Sequence, residues 1–434
     1  MTMLAIDRPT ATVSPTASWR RRTLTRSGLI TGAFVVPAVV VRVAGLHTGA
    51  VPALLVFGAA VVSASFLLAW AAEAAQIDVS GGLATALLAL IAVLPEYAVD
   101  LYYAFVSGHN AEYTQYAAAN MTGSNRLLMG LGWPVVVLVS ILVARKSGSD
   151  KFTGLTLEPA NRVELGFLSI AGVIAFVIPV SGQIHLGLGL ALLAWFGFYL
   201  YKVSHGSVEE PDLIGTAAAL GDLADGRRRA AVIGLFLVSG GIILLCAKPF
   251  ADNLVAAGTE LGINRFLLVQ WLAPLASEAP EFIIAIIFAT RGKGTAAIAT
   301  LISSKVNQWT LLIGSLPIAH LLGGGGFALQ LDPRQVEEVL LTATQTMMGV
   351  ALILALRFHR AAACTLLGLF VVQFPIFSTQ GRLLLCGVYA TVGIAALIVN
   401  RRHLAGTLTA PFFGKAIRHS GHPHLDVEGS ARPL

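Results

Sequence analysis

Charge is scarce in this chain: Asp, Glu, Lys and Arg make up 12% of its 434 residues, against 56% hydrophobic residues. Soluble domains carry about 25% charged residues, so a soluble enzyme with one large core is excluded and a polytopic membrane protein is expected. Cysteine is scarce too. The three present, Cys246, Cys364 and Cys386, fall inside apolar runs without metal-ligand spacing. That excludes a disulfide framework and a zinc site and leaves them as small core hydrophobes. The sequence also has no metal-spaced histidine pair, no nucleophile motif and no hydrophilic segment long enough for a second folded domain. His185, His320 and the run Gly323 to Gly326 stand in no catalytic or phosphate-binding context. An intramembrane enzyme using Glu278 and Glu281 as acid and base therefore lacks most of what such chemistry needs, and no cofactor is expected.

What is present is a succession of apolar runs, each near the length that crosses a hydrocarbon core of about 30 Å. The expected spans are 28–46, 51–72, 82–106, 115–144, 163–181, 185–202, 230–251, 266–290, 295–322, 336–356, 361–377 and 383–400. With the N-terminus inside, Arg145, Lys146, Lys151, Arg162, Arg227 to Arg229, Arg291, Lys293, Arg357, Arg360, Arg401 and Arg402 all fall on the cytoplasmic side. The other side holds little beyond Arg334 and Arg382, which is the asymmetry of the positive-inside rule. This distribution gives the net charge of +6 a membrane explanation and makes a nucleic-acid partner unexpected. An integral protein of the plasma (inner) membrane with both termini cytoplasmic is expected, with the lipid bilayer and inorganic cations as its partners and no obligate protein partner evident.

Two stretches carry polar groups where they are expensive. In Trp271 to Leu316, Glu281 precedes the basic turn Arg291 to Gly294, and Ser304 follows it. Each lies about ten residues from that turn, so at about 1.5 Å per residue both sit near mid-membrane. A carboxylate at that depth costs about 2.5 kcal/mol or more and marks a functional site by default. Pro280 cannot donate to the Ala276 carbonyl, and so leaves a backbone oxygen free beside Ser277 and Glu281. Such oxygens suit Na⁺, Ca²⁺ or a moving proton. The order recurs earlier: Pro95-Glu96, whose proline frees the Ile91 carbonyl, then a polar turn, then Asn120, Ser124 and Asn125. These take the part played by Ser303, Ser304, Asn307 and Gln308. Paired interrupted hairpins point to a transport site between internal repeats. A structural alternative is that these groups serve only as interhelical hydrogen-bonding glue.

At these residues the chain resembles the cation/calcium antiporter superfamily, which includes sodium/calcium and calcium/proton exchangers. Pro95-Glu96 and Pro280-Glu281 match the P-E step of that family's two alpha repeats, and Gly123-Ser124-Asn125 matches its G-S-N. Ser303-Ser304-Lys305 takes the G-S-N place in the second repeat. The G-T-S that precedes P-E in the family is replaced by Ile91-Ala92-Val93 and by Ala276-Ser277-Glu278. Two registers relate the repeats: depth sets Ser124 opposite Ser304, whereas local similarity sets it opposite Gln308.

The resemblance implies an all-α fold of two inverted five-helix repeats, here 51–202 and 230–377. The linker is then 203–229, 28–46 and 383–400 are peripheral helices, and 1–27 and 401–434 are cytoplasmic tails. It implies a secondary antiporter exchanging Ca²⁺ or Na⁺ for H⁺ or Na⁺ at Glu96, Glu281, Glu278, Ser124, Ser304, Asn120, Asn125, Ser277, Asn307 and Gln308. A channel using the same site is the alternative. Arg126 points away from Ser124 and reads as structural. Asp100, one turn past Glu96, is placed to line an access path. Lys305 reads either as an internal counter-cation or as a side chain snorkelling toward the interface. Glu278 and Glu281 share a helix face, so a cation between them, a proton on one of them, or an ion pair with Lys305 must relieve their repulsion.

Overall fold

The computed structural model describes residues 17–46, 48–78, 93–149, 152–205 and 213–414. Among these, nine helical stretches are long and apolar enough to cross a membrane. The chain is an all-α polytopic membrane protein.

Helix α1 (Ala17–Val43) buries only Thr31, Val35 and Ala38, and it packs outside α2 (Ala50–Ala75). It starts within the segment expected to be a tail. Arg20 donates to the Asp222 carbonyl and Ser27 bonds Thr216, so this part of the chain has a partner that its own composition does not reveal. Residues 1–16 lie outside the described set.

The first hairpin is α3 (Leu94–Ser107) and α4 (Tyr113–Leu127), the latter continuing through a π-helical segment (Leu128–Gly132) into α5 (Trp133–Lys146). Pro95 lies in the first turn of α3, where a missing N–H costs no bond. The start of the expected span 82–106, including the Ile91 carbonyl, lies outside the described residues. The expected span 163–181 is broken, running as α6 (Asn161–Ile174) and α7 (Val177–Ser181), and α8 (Leu186–Ser204) follows.

The expected linker 203–229 is more ordered than a solvated loop. It contains α9 (Gly215–Gly221), which buries Ala217, Ala219 and Leu220 and contacts α2, and at Asp225 it enters α10 (Asp225–Glu260). Arg228 of α10 donates to both carboxylate oxygens of Asp78, at 2.7 Å each. Residues 206–212 of the linker lie outside the described set.

The second hairpin is α11 (Arg265–Thr290) and α12 (Gly294–Asn307), continuing through a π segment (Gln308–Leu312) into α13 (Ile313–Leu322). Helix α11 is continuous through Pro274 and Pro280. Then come α14 (Pro333–Ile353), opened by an Asp332–Gln335 capping box, α15 (Arg360–Val372) and α16 (Thr379–Asn400).

The C-terminal segment departs from the expected tail. After Asn400 the chain turns and forms α17 (Leu404–Phe413), which packs on α6. Thr407 bonds Arg162, and the backbone at Thr407 lies against Gly166, where a Cβ would come within 2.4 Å of its carbonyl. Residues 415–434 lie outside the described set.

Among the described residues, four short strands tie the halves together. β1 (Gly154–Thr156) pairs antiparallel with β4 (Arg357–His359), and β2 (Gln183–His185) pairs with β3 (Ala328–Gln330). At one end of the bundle, Ser107 at the close of α3 bonds His320 near the close of α13. At the other, Thr295 at the start of α12 reaches the Thr156 carbonyl. The hairpins are seated against each other at Gly123 of α4, where a Cβ would lie 1.8 Å from the Gln270 carbonyl of α11. Only glycine admits that approach.

Candidate functional site

The two π segments correspond position for position, Leu128 to Gln308. This sets Ser124 opposite Ser304 and Asn125 opposite Lys305, the register that depth favours. Each serine donates to the glutamate of its own hairpin: Ser124 to Glu96 at 2.9 Å and Ser304 to Glu281 at 2.8 Å. Two equivalent Glu–Ser rungs therefore lie inside the helical bundle. A π segment one residue past each serine's turn widens the helix locally and shifts the face its neighbours present.

Gln308 joins the rungs. Its amide donates to Glu278 at 2.7 Å and to Glu96 at 3.2 Å, so one side chain of the second hairpin holds an acid from each half. Next to this bridge, Tyr97 donates across to the Asn307 carbonyl at 3.3 Å, and the Lys305 ammonium donates across to the Asn125 carbonyl. Glu96, Glu278 and Glu281 lie within each other's electrostatic reach. Glu278 is 2% exposed and Glu96 7%, while Glu281 is partly exposed. Glu278 Oε2, Gln308 Oε1 and Asn125 Oδ1 are buried without a hydrogen bond from the protein. Carboxylate and amide oxygens left with spare acceptor capacity are what a hard cation takes up.

The remaining expected residues are placed as follows. Ser277 donates to the Ala273 and Pro274 carbonyls of its own helix. The Asn125 amide donates to the Met121 carbonyl, leaving its oxygen free. Asn120, one turn from Ser124, has its side-chain oxygen and nitrogen buried without a hydrogen bond from the protein, as are both carboxylate oxygens of the fully enclosed Asp100. Asn307 is engaged through its backbone. Lys305 is also fully enclosed and lies 5.7 Å from the Trp309 ring centroid, so it does not snorkel.

Sequence reading missed a second polar cluster on the opposite side of α4. Arg126 pairs with Glu338 of α14 at 2.6 Å, bonds Gln373 and lies over Trp271. Arg382 reaches Glu337 and Glu338, and Gln270 links Glu338 to Thr122. Arg126, Gln270, Trp271, Glu338, Gln373 and Arg382 line a cavity of about 240 Å³. Two acids in the first turns of an apolar span and an arginine facing away from Ser124 were the available signals, but the partners are too far apart in sequence to be matched. Tyr199, bridging Glu164 and Ser303, was likewise unseen.

Fold and site together define a membrane cation exchanger with duplicated acidic hairpins. The family model described as sodium/calcium exchanger protein matches residues 49–204 and 231–378, and the chain belongs to that family of secondary active cation antiporters. Among solved structures it is similar to an H⁺/Ca²⁺ exchanger named CAX, at 37% identity and a TM-score of 0.84, covering 90% of this chain and 98% of that one. A structure of native YfkE matches at 15% identity and a TM-score of 0.60, covering 84% and 99%. The sodium-calcium exchanger NCX_Mj matches at 16% identity and a TM-score of 0.50, covering 76% and 99%. These last two likenesses show the shared fold. No curated protein sequence matches the chain.

Proposed function

We propose that the protein exchanges Ca²⁺ for H⁺ by alternating access, at a site built on the Glu96–Ser124 and Glu281–Ser304 rungs and completed by Glu278 and Gln308. The observation that carries this is the bridge from Gln308 to Glu96 and Glu278, which joins acids of both hairpins. Asn125, Asn120, Ser277 and Asn307 complete the ligand set as neutral oxygens, directly or through small rotations. Coupling follows because the carboxylates hold either a divalent ion or protons, and each load favours its own occupancy of the same oxygens. The carboxylates suit a divalent ion better than Na⁺, and the similarity to an H⁺/Ca²⁺ exchanger at 37% identity supports the same choice.

The two halves, 51–202 and 230–377, form inverted repeats in this reading, within about twelve spans. What supports it is the equivalence of the two π-interrupted helices and the placement of the hairpin turns, one beside His320 and the other beside Thr156. Arg145, Lys146, Arg291, Lys293, Arg357 and Arg360 gather at the β1–β4 end, which supports a cytoplasmic face there; the reading includes a plasma-membrane location with cytoplasmic termini.

Flux measured in proteoliposomes across Ca²⁺, Na⁺, K⁺ and pH gradients tests the proposal. Glu96→Gln and Glu281→Gln are each expected to abolish Ca²⁺-driven proton movement in folded protein. Exchange at wild-type rate in either variant would remove the site, and Na⁺-driven flux with no proton movement would replace the ion pair.

A further inference from the structure

One residue before each rung serine, the helix that carries it is fixed against the other half of the molecule. In the first half that residue is Gly123, seated on the Gln270 carbonyl of α11. Its counterpart in the register of the two π segments is Ser303, whose hydroxyl lies 2.6 Å from the Tyr199 hydroxyl of α8. Tyr199 in turn donates to Glu164 of α6 at 3.3 Å, so one phenol joins α6, α8 and α12. A phenol has a single proton, so Ser303 donates to Tyr199 and Tyr199 donates on to Glu164. Both Tyr199 and Glu164 are buried. The Tyr199 ring packs on Phe167 of α6 with centroids 5.2 Å apart, and Phe167 also meets Trp195, whose indole donates to the Phe167 carbonyl. The hydroxyl therefore reaches α12 from a fixed support. The second rung needs such a support more than the first. Ser124 and Glu96 are buried, whereas Ser304 and Glu281 are partly exposed, and the π segment that begins at Gln308 changes the face α12 presents one turn past Ser304.

We propose that Tyr199 is a positioning residue for cation exchange: through Ser303 it sets the rotation of α12 and so holds the Ser304 hydroxyl on Glu281. The inference rests on the two-rung reading of the site and not on which cation that site carries. With the phenol hydroxyl removed, Ser304 turns away from Glu281 for part of the time, and the rung must re-form before an ion is held. Apparent affinity then falls in proportion to the time the rung is formed. The loaded protein is unchanged, so the rate at which it carries its ion across is kept. Tyr199 acts through Ser304 and has no need to touch the ion.

The test uses Tyr199→Phe, which keeps the ring and removes the hydroxyl, and Ser303→Ala, which removes its partner. Flux in proteoliposomes is read over a range of concentrations of whichever of Ca²⁺, Na⁺ and K⁺ the wild type exchanges. Each variant is expected to raise the KM about threefold to tenfold, the effect of one ordinary hydrogen bond, and to leave the maximal rate within about twofold. In the Ser304→Ala background Tyr199→Phe is expected to add nothing, because the group it positions is gone. Tyr201→Phe, on the exposed side of α8, keeps the wild-type KM. A wild-type KM in either folded variant overturns the proposal. So does a rise in KM that Tyr199→Phe repeats in full when Ser304 is already alanine, since the effect then lies elsewhere. Loss of folded protein in both Tyr199→Phe and Ser303→Ala overturns it as well, because it assigns the phenol to packing. A wild type that moves Na⁺ or K⁺ but no Ca²⁺ fails the Ca²⁺/H⁺ reading alone, since the positioning test runs on the cation that does move.

Discussion

Gln308 bears more of the site's connectivity than either serine. Removing its amide leaves Glu96 and Glu278 without a donor that both share, and an unsatisfied buried polar group costs about 1–3 kcal/mol. Ser304 serves Glu281 alone. Gln308→Ala is therefore expected to raise the KM for the transported cation by more than about tenfold, and Ser304→Ala by less, in flux assays run over a range of cation concentrations. Equal effects would mean that the bridge adds nothing to the rungs. The glutamates and serines could be read from the chain because cost at depth identifies them one by one. The Gln308–Glu96 bond could not, because it spans the two halves and depends on how the hairpins face each other.

At the scale of helices, the seat at Gly123 sets how closely the two hairpins approach. Any side chain there meets the Gln270 carbonyl, and overpacking typically costs about 1–3 kcal/mol. Gly123→Ala should lower the unfolding midpoint in detergent. Gly197→Ala on α8, where nothing lies within 4 Å of the added carbon, should leave it unchanged or raise it slightly. The hairpins themselves were legible because long apolar runs with polar turns leave little choice of element. The π segments were not, since Leu128–Gly132 and Gln308–Leu312 share no residue pattern beyond apolar bulk. Nor was α17, whose register is fixed by Arg162 and Gly166 of a helix far back in the chain. The Arg126–Glu338 cluster was hidden for the same reason, as Glu337 and Glu338 alone look like ordinary span-end charges and Arg126 alone shows only that it faces away from Ser124.

Across the whole molecule, the junction between α2 and α10 is held by charge. The Arg228 guanidinium, bonded to both oxygens of Asp78, holds that carboxyl at about 2, below its ordinary 3.8. The contribution of this pair is fully present above the ordinary value and is lost as the pH falls through about 2. Asp78→Asn should thus be less stable than wild type at neutral pH, with the two melting curves converging toward pH 2 if the pair acts as described.

The crosswise pairing of β1 with β4 and of β2 with β3 has a further consequence. Each half carries one strand at either end of the bundle, and each strand finds its mate only in the other half, so the halves are stitched to one another without help from the peptide that links them in sequence. Two polypeptides produced by severing the chain between 206 and 212, made in the same cell, should recognise each other and co-purify as an active pair. Covalent continuity would then be dispensable, while the stitching would not.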